Sequence, residues 1–335
     1  MPMKPLRIPI LFAACAVLAS RFCVAAPGDA ASFVRDYRNG LVFVEGKAGQ
    51  GSGFITEVKG RKFLFTNAHV LAGIKGAGFT LLDRTPVRVG AGSVAVGHDL
   101  VAMAVVSGGT PIPAMEAFDQ NVSIGDAVVV LGNAGGAGVV NLIQGKLVGI
   151  GPDRIEVDAP FVPGNSGSPI IHVRTGRVIG IATYMIVRKT GPGEEQVRRF
   201  GFRLDSVQKW QPVDWNRFYA EADAMEKIGK LTGDLVLLLN DVSRHGRPTR
   251  AYEAPVLRNA LDNFNRMQSQ RRSPRDADRA VDGLLTALRF ASEGDVRDAK
   301  SRFGYDFFQR QLANEERDRE ELSKIFDTAL KSRSK

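Results

Sequence analysis

The texture of the apolar residues changes once along this chain, and that change constrains the fold more than any other feature. Between residues 32 and 208 apolar residues fall in short runs cut by turn formers: Leu41-Val42-Phe43-Val44, Gly53-Phe54-Ile55, Lys62-Phe63-Leu64-Phe65, Ala127 to Leu131, Gly145 to Ile150 and Val178 to Ile181. A run this short buries its side chains only when laid beside other strands. Many of them, closely spaced, predict a β-barrel or sandwich. The 36 glycines, against 16 prolines, supply the turns.

From residue 213 the spacing is helical. Trp215, Phe218, Tyr219, Ala222, Met225 and Ile228 form one stripe; Val256, Leu257, Ala260, Leu261, Phe264 and Met267 form a second; Ala277, Val281, Leu284, Leu285 and Leu288 form a third. Leu322, Ile325, Phe326 and Leu330 line a last, highly charged segment. Ser273-Pro274-Arg275-Asp276 reads as a helix start, with a serine cap, proline in the first turn and an acid behind it. Gln211-Pro212-Val213 marks the break. The expected organisation is therefore a β domain over 32–208 and an all-α domain over 213–335.

Residues 1–25 read as a signal peptide. Lys4 and Arg7 precede a 12-residue apolar run, Ile8 to Ala19, and small residues end at Ala25; a cut after Ala19 is the alternative. The run is too short to span a bilayer as a helix, and no 20-residue apolar stretch follows. The expected location is periplasmic or extracellular, with no membrane span in the mature chain. Both cysteines, Cys15 and Cys23, fall in the leader, so no disulfide is expected. The net charge of +9 is a modest excess for a chain of 335 residues, and no nucleic-acid partner is expected.

Three local patterns carry chemistry. Gly164-Asn165-Ser166-Gly167-Ser168-Pro169 puts a serine between glycines, where a sharp turn exposes a hydroxyl and aims the N–H groups of Gly164 and Ser166 at one point, an oxyanion hole. His69 follows the apolar run ending at Phe65, and Asp99 precedes Leu100-Val101-Ala102. Each is weak alone. Together, in the order His, Asp, Ser, they follow the chymotrypsin-type triad rather than that of subtilisin or the α/β-hydrolases. Gly132 to Gly138 lacks the following helix of a dinucleotide loop. His172 and His245 have no metal-ligand spacing.

These motifs, with Gly51-Ser52-Gly53-Phe54-Ile55, Thr66-Asn67-Ala68-His69-Val70, Ile124-Gly125-Asp126 and Leu131-Gly132-Asn133, resemble the bacterial HtrA-type trypsin-like serine peptidases. The resemblance covers about residues 32–208. It implies a chymotrypsin-like double β-barrel of six strands each, with His69 and Asp99 from the first barrel and Ser166 from the second. It implies no cofactor and polypeptide substrates. It also implies a substrate pocket walled by Pro160, Phe161 and Val162 and by Thr183, Tyr184 and Met185. No acid lies in those segments, so small or medium apolar residues are expected before the cut.

The chain departs from that family in three places. Ser168 stands where a second glycine is common. Gly191-Pro192-Gly193 marks a charged loop late in the second barrel. The helical region stands where PDZ modules would be, so PDZ-governed activation is not carried over; this region is a candidate for docking a protein partner. Asn165 replaces the acid that pairs with a new N-terminus in digestive enzymes, so no such salt bridge is expected. The leading reading is a serine endopeptidase acting through Ser166. The alternatives are a binding or chaperone-like protein on a peptidase fold, and an esterase using the same triad.

Overall fold

The structure, a computed structural model, describes residues 27–191, 193–293 and 295–333. The leader assigned to residues 1–25 lies outside the described residues, as do both cysteines. The chain divides into two compact units between Tyr219 and Ala220.

The first unit opens with helix α1 (Pro27–Tyr37) and strands β1 (Leu41–Gly46), β2 (Gly49–Val58) and β3 (Arg61–Thr66). The short helix α2 (Ala68–Gly73) leads to β4 (Gly78–Leu81), β5 (Arg88–Ala95) and β6 (Val101–Ser107). These strands form one antiparallel sheet in the order β5-β6-β3-β2-β1-β4. Its far edge curls back toward the near one, because Val87 N–H donates to Phe79 O and Leu81 N–H to Thr85 O, both at 2.9 Å.

After α3 (Phe118–Asn121), strands β7 (Ala127–Gly132), β8 (Asn141–Ile150), β9 (Arg154–Val157), β10 (Pro169–His172), β11 (Arg177–Gly191) and β12 (Glu194–Arg203) close a barrel in the order β10-β11-β12-β9-β8-β7. Val128 to Leu131 of β7 are buried throughout, the pattern of a strand covered on both faces. The charged loop read around Gly191-Pro192-Gly193 joins β11 to β12, which pair down to Gly191 opposite Glu194.

The first sheet has seven strands rather than the expected six. The extra one, β13 (Trp210–Pro212), returns after the second barrel and pairs with β5, Trp210 opposite Ala95. Three residues flanked by Gln208-Lys209 carry too weak an alternation to announce a strand; the open edge of β5 and the contact of Trp210 with Phe65, 6.0 Å between ring centroids, select it. One apolar cluster joins the barrels: Leu41, Phe54 and Phe65 of the first pack with Leu131, Ile171, Ile181 and Phe202 of the second. Each such side chain contributes about 1.5–3 kcal/mol on burial, so the cluster fixes one barrel against the other.

The helical unit contains α4 (Trp215–His245, whose first turn belongs to the β unit), α5 (Pro255–Ser269), α6 (Pro274–Glu293), α7 (Asp295–Lys300) and α8 (Asp306–Arg333). Leu235, Leu238, Leu257, Leu284, Leu288, Leu322 and Phe326 meet in its core. Ser273 caps α6 reciprocally: Asp276 N–H donates to Ser273 Oγ, and Ser273 N–H to Asp276 Oδ2. The buried carboxylate of Glu221 takes the N–H groups of Gly304 and Tyr305 ahead of α8. No helix among the described residues is long and apolar enough to cross a membrane.

Candidate active site

Strand pairing brings the histidine to the aspartate. Thr66, the last residue of β3, lies opposite Val101, the first of β6. The chain just after β3 and the chain just before β6 are therefore neighbours, and they hold His69 and Asp99. Asn67 is extended and starts α2, whose first turn carries His69. His69 Nδ1 and Asp99 Oδ2 are 2.5 Å apart, and the His69 backbone N–H donates to Asp99 Oδ1 at 2.9 Å. Asn67 Nδ2 donates to the carbonyl of Asp99 at 2.7 Å and to Thr183 Oγ1 at 3.1 Å. This second link ties the loop of the first barrel to β11 of the second.

The two-point grip orients the imidazole. Nδ1–H donates to Asp99, which leaves Nε2 as the lone-pair nitrogen. Burial pulls the imidazole pKa down, but the charge of Asp99 and its hydrogen bond outweigh that, and the His69 pKa is raised above 6.5. The imidazole keeps 36% of its surface exposed, whereas Asp99 keeps 16%.

Ser166 sits between β9 and β10. Gly164 at φ +94° and Gly167 at φ +89° turn the chain on either side of it. A Cβ on Gly167 would lie 1.9 Å from Ser52 O, so glycine is required by contact as well as by φ. Ser52 locks the turn to the first barrel. Its N–H donates to Ser166 O at 3.0 Å and its Oγ to Gly164 O at 2.8 Å, while Ser52 Oγ receives the N–H of Asn133 at 2.9 Å.

Asn165 N–H donates to Val162 O, Gly167 N–H to Ala182 O and Ser168 N–H to Asn165 O. Gly135 N–H donates to Pro163 O at 2.8 Å. The N–H groups of Gly164 and Ser166 make no hydrogen bond among the described residues. Ser166 Oγ donates to Thr183 O at 3.4 Å and makes no hydrogen bond to His69.

The Ser168 departure is accommodated by Gly132: a Cβ there would fall on Ser168 Oγ, so the two positions share one space. Asn165 is buried and its Oδ1 accepts the N–H of Val162 at 3.1 Å, an internal bond where an acid would reach for a terminus. The glycine-rich stretch after Gly132 is a loop with one 3-10 turn, Ala134–Gly136, running into β8.

The predicted pocket residues separate into two kinds. Pro160, Val162 and Met185 are half-buried. Phe161 is instead buried in the core of the second barrel, and Tyr184 stacks on Phe200 at 5.1 Å, its hydroxyl accepting from Arg154. The Phe161 ring is taken up by the barrel core and the Tyr184 ring by Phe200, so these two side chains are engaged elsewhere than in a substrate pocket. Thr183 is buried and faces Asn67. Sequence reasoning did not assign Ser52, Asn67, Asn133 or Arg199, whose guanidinium donates to Phe161 O at 2.8 Å. The one signal for Ser52, Asn67 and Asn133 is their place inside the motifs that carry the family resemblance; Arg199 gives none.

Residues 51–181 match the family described as the trypsin-like peptidase domain. A putative serine protease HhoA of Synechocystis is 35% identical over 161 residues, 44% of this chain and 39% of that protein. A probable periplasmic serine endoprotease, DegP-like, of Rhizobium meliloti is 34% identical over 144 residues, 40% of this chain and 27% of that protein. The chain thus spans less than half the length of these relatives. Among solved structures, a serine endoprotease from Yersinia pestis is similar at 23% identity and TM-score 0.41, over 54% of this chain and 64% of that one. The inactive form of the Rv3671c protease is similar at 22% identity and TM-score 0.40, over 56% of this chain and 95% of that one.

Proposed function

We propose that this chain, in which residues 51–181 form a trypsin-like peptidase domain, is an exported serine endopeptidase that cleaves polypeptides through an acyl-enzyme on Ser166. The observation that carries the reading is the grip of Asp99 on both Nδ1 and the backbone N–H of His69. It fixes the tautomer that a general base needs. The DegP-like relative named as periplasmic and the leader read from residues 1–25 support export.

Rotation about the Ser166 side chain exchanges its weak 3.4 Å contact with Thr183 O for His69 Nε2. Ser166 Oγ then attacks the scissile carbonyl carbon as its proton passes to Nε2. The carbonyl oxygen gains the negative charge and is met by the N–H groups of Gly164 and Ser166. Asp99 stabilises the imidazolium. Collapse breaks the C–N bond, and His69 returns the proton to the leaving amine. Water, deprotonated by His69, attacks the Ser166 ester, releasing the carboxylic acid and restoring the hydroxyl.

A fluorophosphonate probe tests this directly. It is expected to label the wild-type protein and not Ser166→Ala, and that substitution is expected to abolish peptide cleavage. Equal labelling of both proteins refutes the assignment.

A further inference from the structure

We propose that Arg199 makes the pocket beside Ser166 selective for a substrate with an acidic side chain, Asp or Glu, immediately before the scissile bond. The inference rests on the endopeptidase reading of this site and assigns its substrate class.

Position comes first. In β12, Arg199 pairs with Met185 of β11 and with Val157 of β9. Its neighbours Arg198 and Phe200 lie on the other face, where the Arg198 guanidinium covers the Phe200 ring and that ring stacks on Tyr184. Arg199 shares its face with Gly201, where a Cβ would strike Ile170 inside the barrel. Arg199 therefore points into the barrel mouth, and its Nε–H reaches Phe161 O. Phe161 belongs to the wall that runs on to Ser166. Met185, opposite Arg199, lies two residues beyond Thr183, whose carbonyl holds Ser166 Oγ. Arg199 thus touches both segments, the first through its guanidinium on Phe161 O and the second through the backbone pairing with Met185.

Charge comes second. Arg199 is half-buried and has no carboxylate partner among the described residues, and neither of its Nη groups makes a hydrogen bond there. The nearby cations differ. Arg198 is bidentate to Glu156 at 2.7 Å, Arg203 pairs with Asp205 and Asp119, and Arg154 with Asp153. Asp158, next to the β9 residue that Arg199 pairs with, accepts the N–H of Lys146 at 2.5 Å, and Glu194 and Glu195 lie at the exposed far end of β12. Burial alone pulls the Arg199 pKa down, with nothing from the protein offsetting it.

Chemistry comes third. Two Nη groups in one plane match a carboxylate bidentately, and a desolvated guanidinium gains most from a charged acceptor. An amide of the same shape offers one acceptor oxygen and turns an N–H₂ donor toward the cation. The sequence expectation of an apolar preference considered residues 160–162 and 183–185 only; the cation enters from a strand beyond both.

The test uses fluorogenic peptides that differ only in the residue before the cut: Glu, Gln, Asp, Asn and Val. The wild-type protein is expected to favour Glu over Gln, and Asp over Asn, by about ten- to hundredfold in kcat/KM, the range for a hydrogen bond to a charged group. In Arg199→Met that ratio is expected to fall toward one, and Arg199→Lys to retain part of it. A ratio measured on one preparation does not depend on how much of the variant folds. A wild-type enzyme that cleaves Glu and Gln peptides equally, or Val peptides best, overturns the proposal. Binding of the Glu and Gln peptides to Ser166→Ala, followed by fluorescence anisotropy, separates the two readings. Preferential Glu binding without any cleavage by wild type refutes the endopeptidase reading and supports the Arg199 site. Equal affinities refute the Arg199 site whatever the activity.

Discussion

Gly167→Ala tests whether the nucleophile turn is held by contact with the first barrel. Two costs combine at this position. An alanine at φ +89° pays the left-handed penalty of about 1–2 kcal/mol. Its Cβ would also lie 1.9 Å from Ser52 O, where ordinary contact begins at 3.4 Å, so strand β2 and the turn must part by about 1.5 Å. That movement breaks the bonds from Ser52 to Ser166 O and to Gly164 O. Two buried groups left unsatisfied cost about 1–3 kcal/mol each. The total is about 3–8 kcal/mol, comparable with the whole stability of many domains.

Gly60→Ala is the matched control. Gly60 has φ +73° and nothing within 4 Å of an added Cβ, so it carries the backbone penalty alone, about 1–2 kcal/mol. Both substitutions are made on Ser166→Ala protein, which removes self-digestion, and followed by tryptophan fluorescence during denaturation. The chain has two tryptophans, Trp210 and Trp215, both before the division at Tyr219, so the signal reports the β unit. Gly60→Ala is expected to lower Tm by about 2–8 °C and Gly167→Ala by about 6–32 °C. With Ser166 restored, kcat/KM of Gly167→Ala is expected to fall about a hundredfold or more, since an ångström of misplacement suffices for that. Stability of the two variants within about 1 kcal/mol of each other refutes the reasoning.

Asp99→Asn is expected to lower kcat about 10⁴-fold, because an amide does not hold the imidazole in its working tautomer. Neutral His69 is the active form and its pKa is raised above 6.5, so wild-type kcat/KM falls as pH drops through that raised value; in Asp99→Asn both raising causes vanish, burial remains, and the acid limb of the pH–rate profile moves down. Because Asn165 Oδ1 bonds Val162 N–H internally, protein starting at Ala26 and protein with a short N-terminal tag are expected to have kcat/KM within about threefold of each other; strict dependence on one exposed terminus contradicts this. A chain ended after Tyr219 keeps every residue of the site and is expected to cleave short peptides at a comparable rate; a folded truncation without that activity would show that the helices complete the site.

Much of this protein was legible in its sequence because the relevant signals are local. Strand runs, helical stripes and the Ser273 cap depend on spacing between near neighbours. The glycines around Ser166 announce a turn through the conformations that only glycine adopts easily. The order His69, Asp99, Ser166 needed no structure. Other features depend on which strands pair and could not be read that way. The 2.5 Å approach of His69 to Asp99 follows from β3 lying beside β6. The requirement for glycine at 132 follows from Ser168 across the sheet, and the strand at Trp210–Pro212 from the open edge of β5. Arg199 is the sharpest case. In sequence it is one of several basic residues on a polar strand, next to an arginine that differs from it in nothing local. Alternation sends Arg198 outward to Glu156 and Arg199 inward to Phe161 O, and which of the two faces the cleft is set by the register of β12 against β11 and β9. A shift of one residue would exchange their roles, because side chains alternate with a period of two. Register is decided by the packing of the whole barrel, and so the charge of this pocket is a tertiary property.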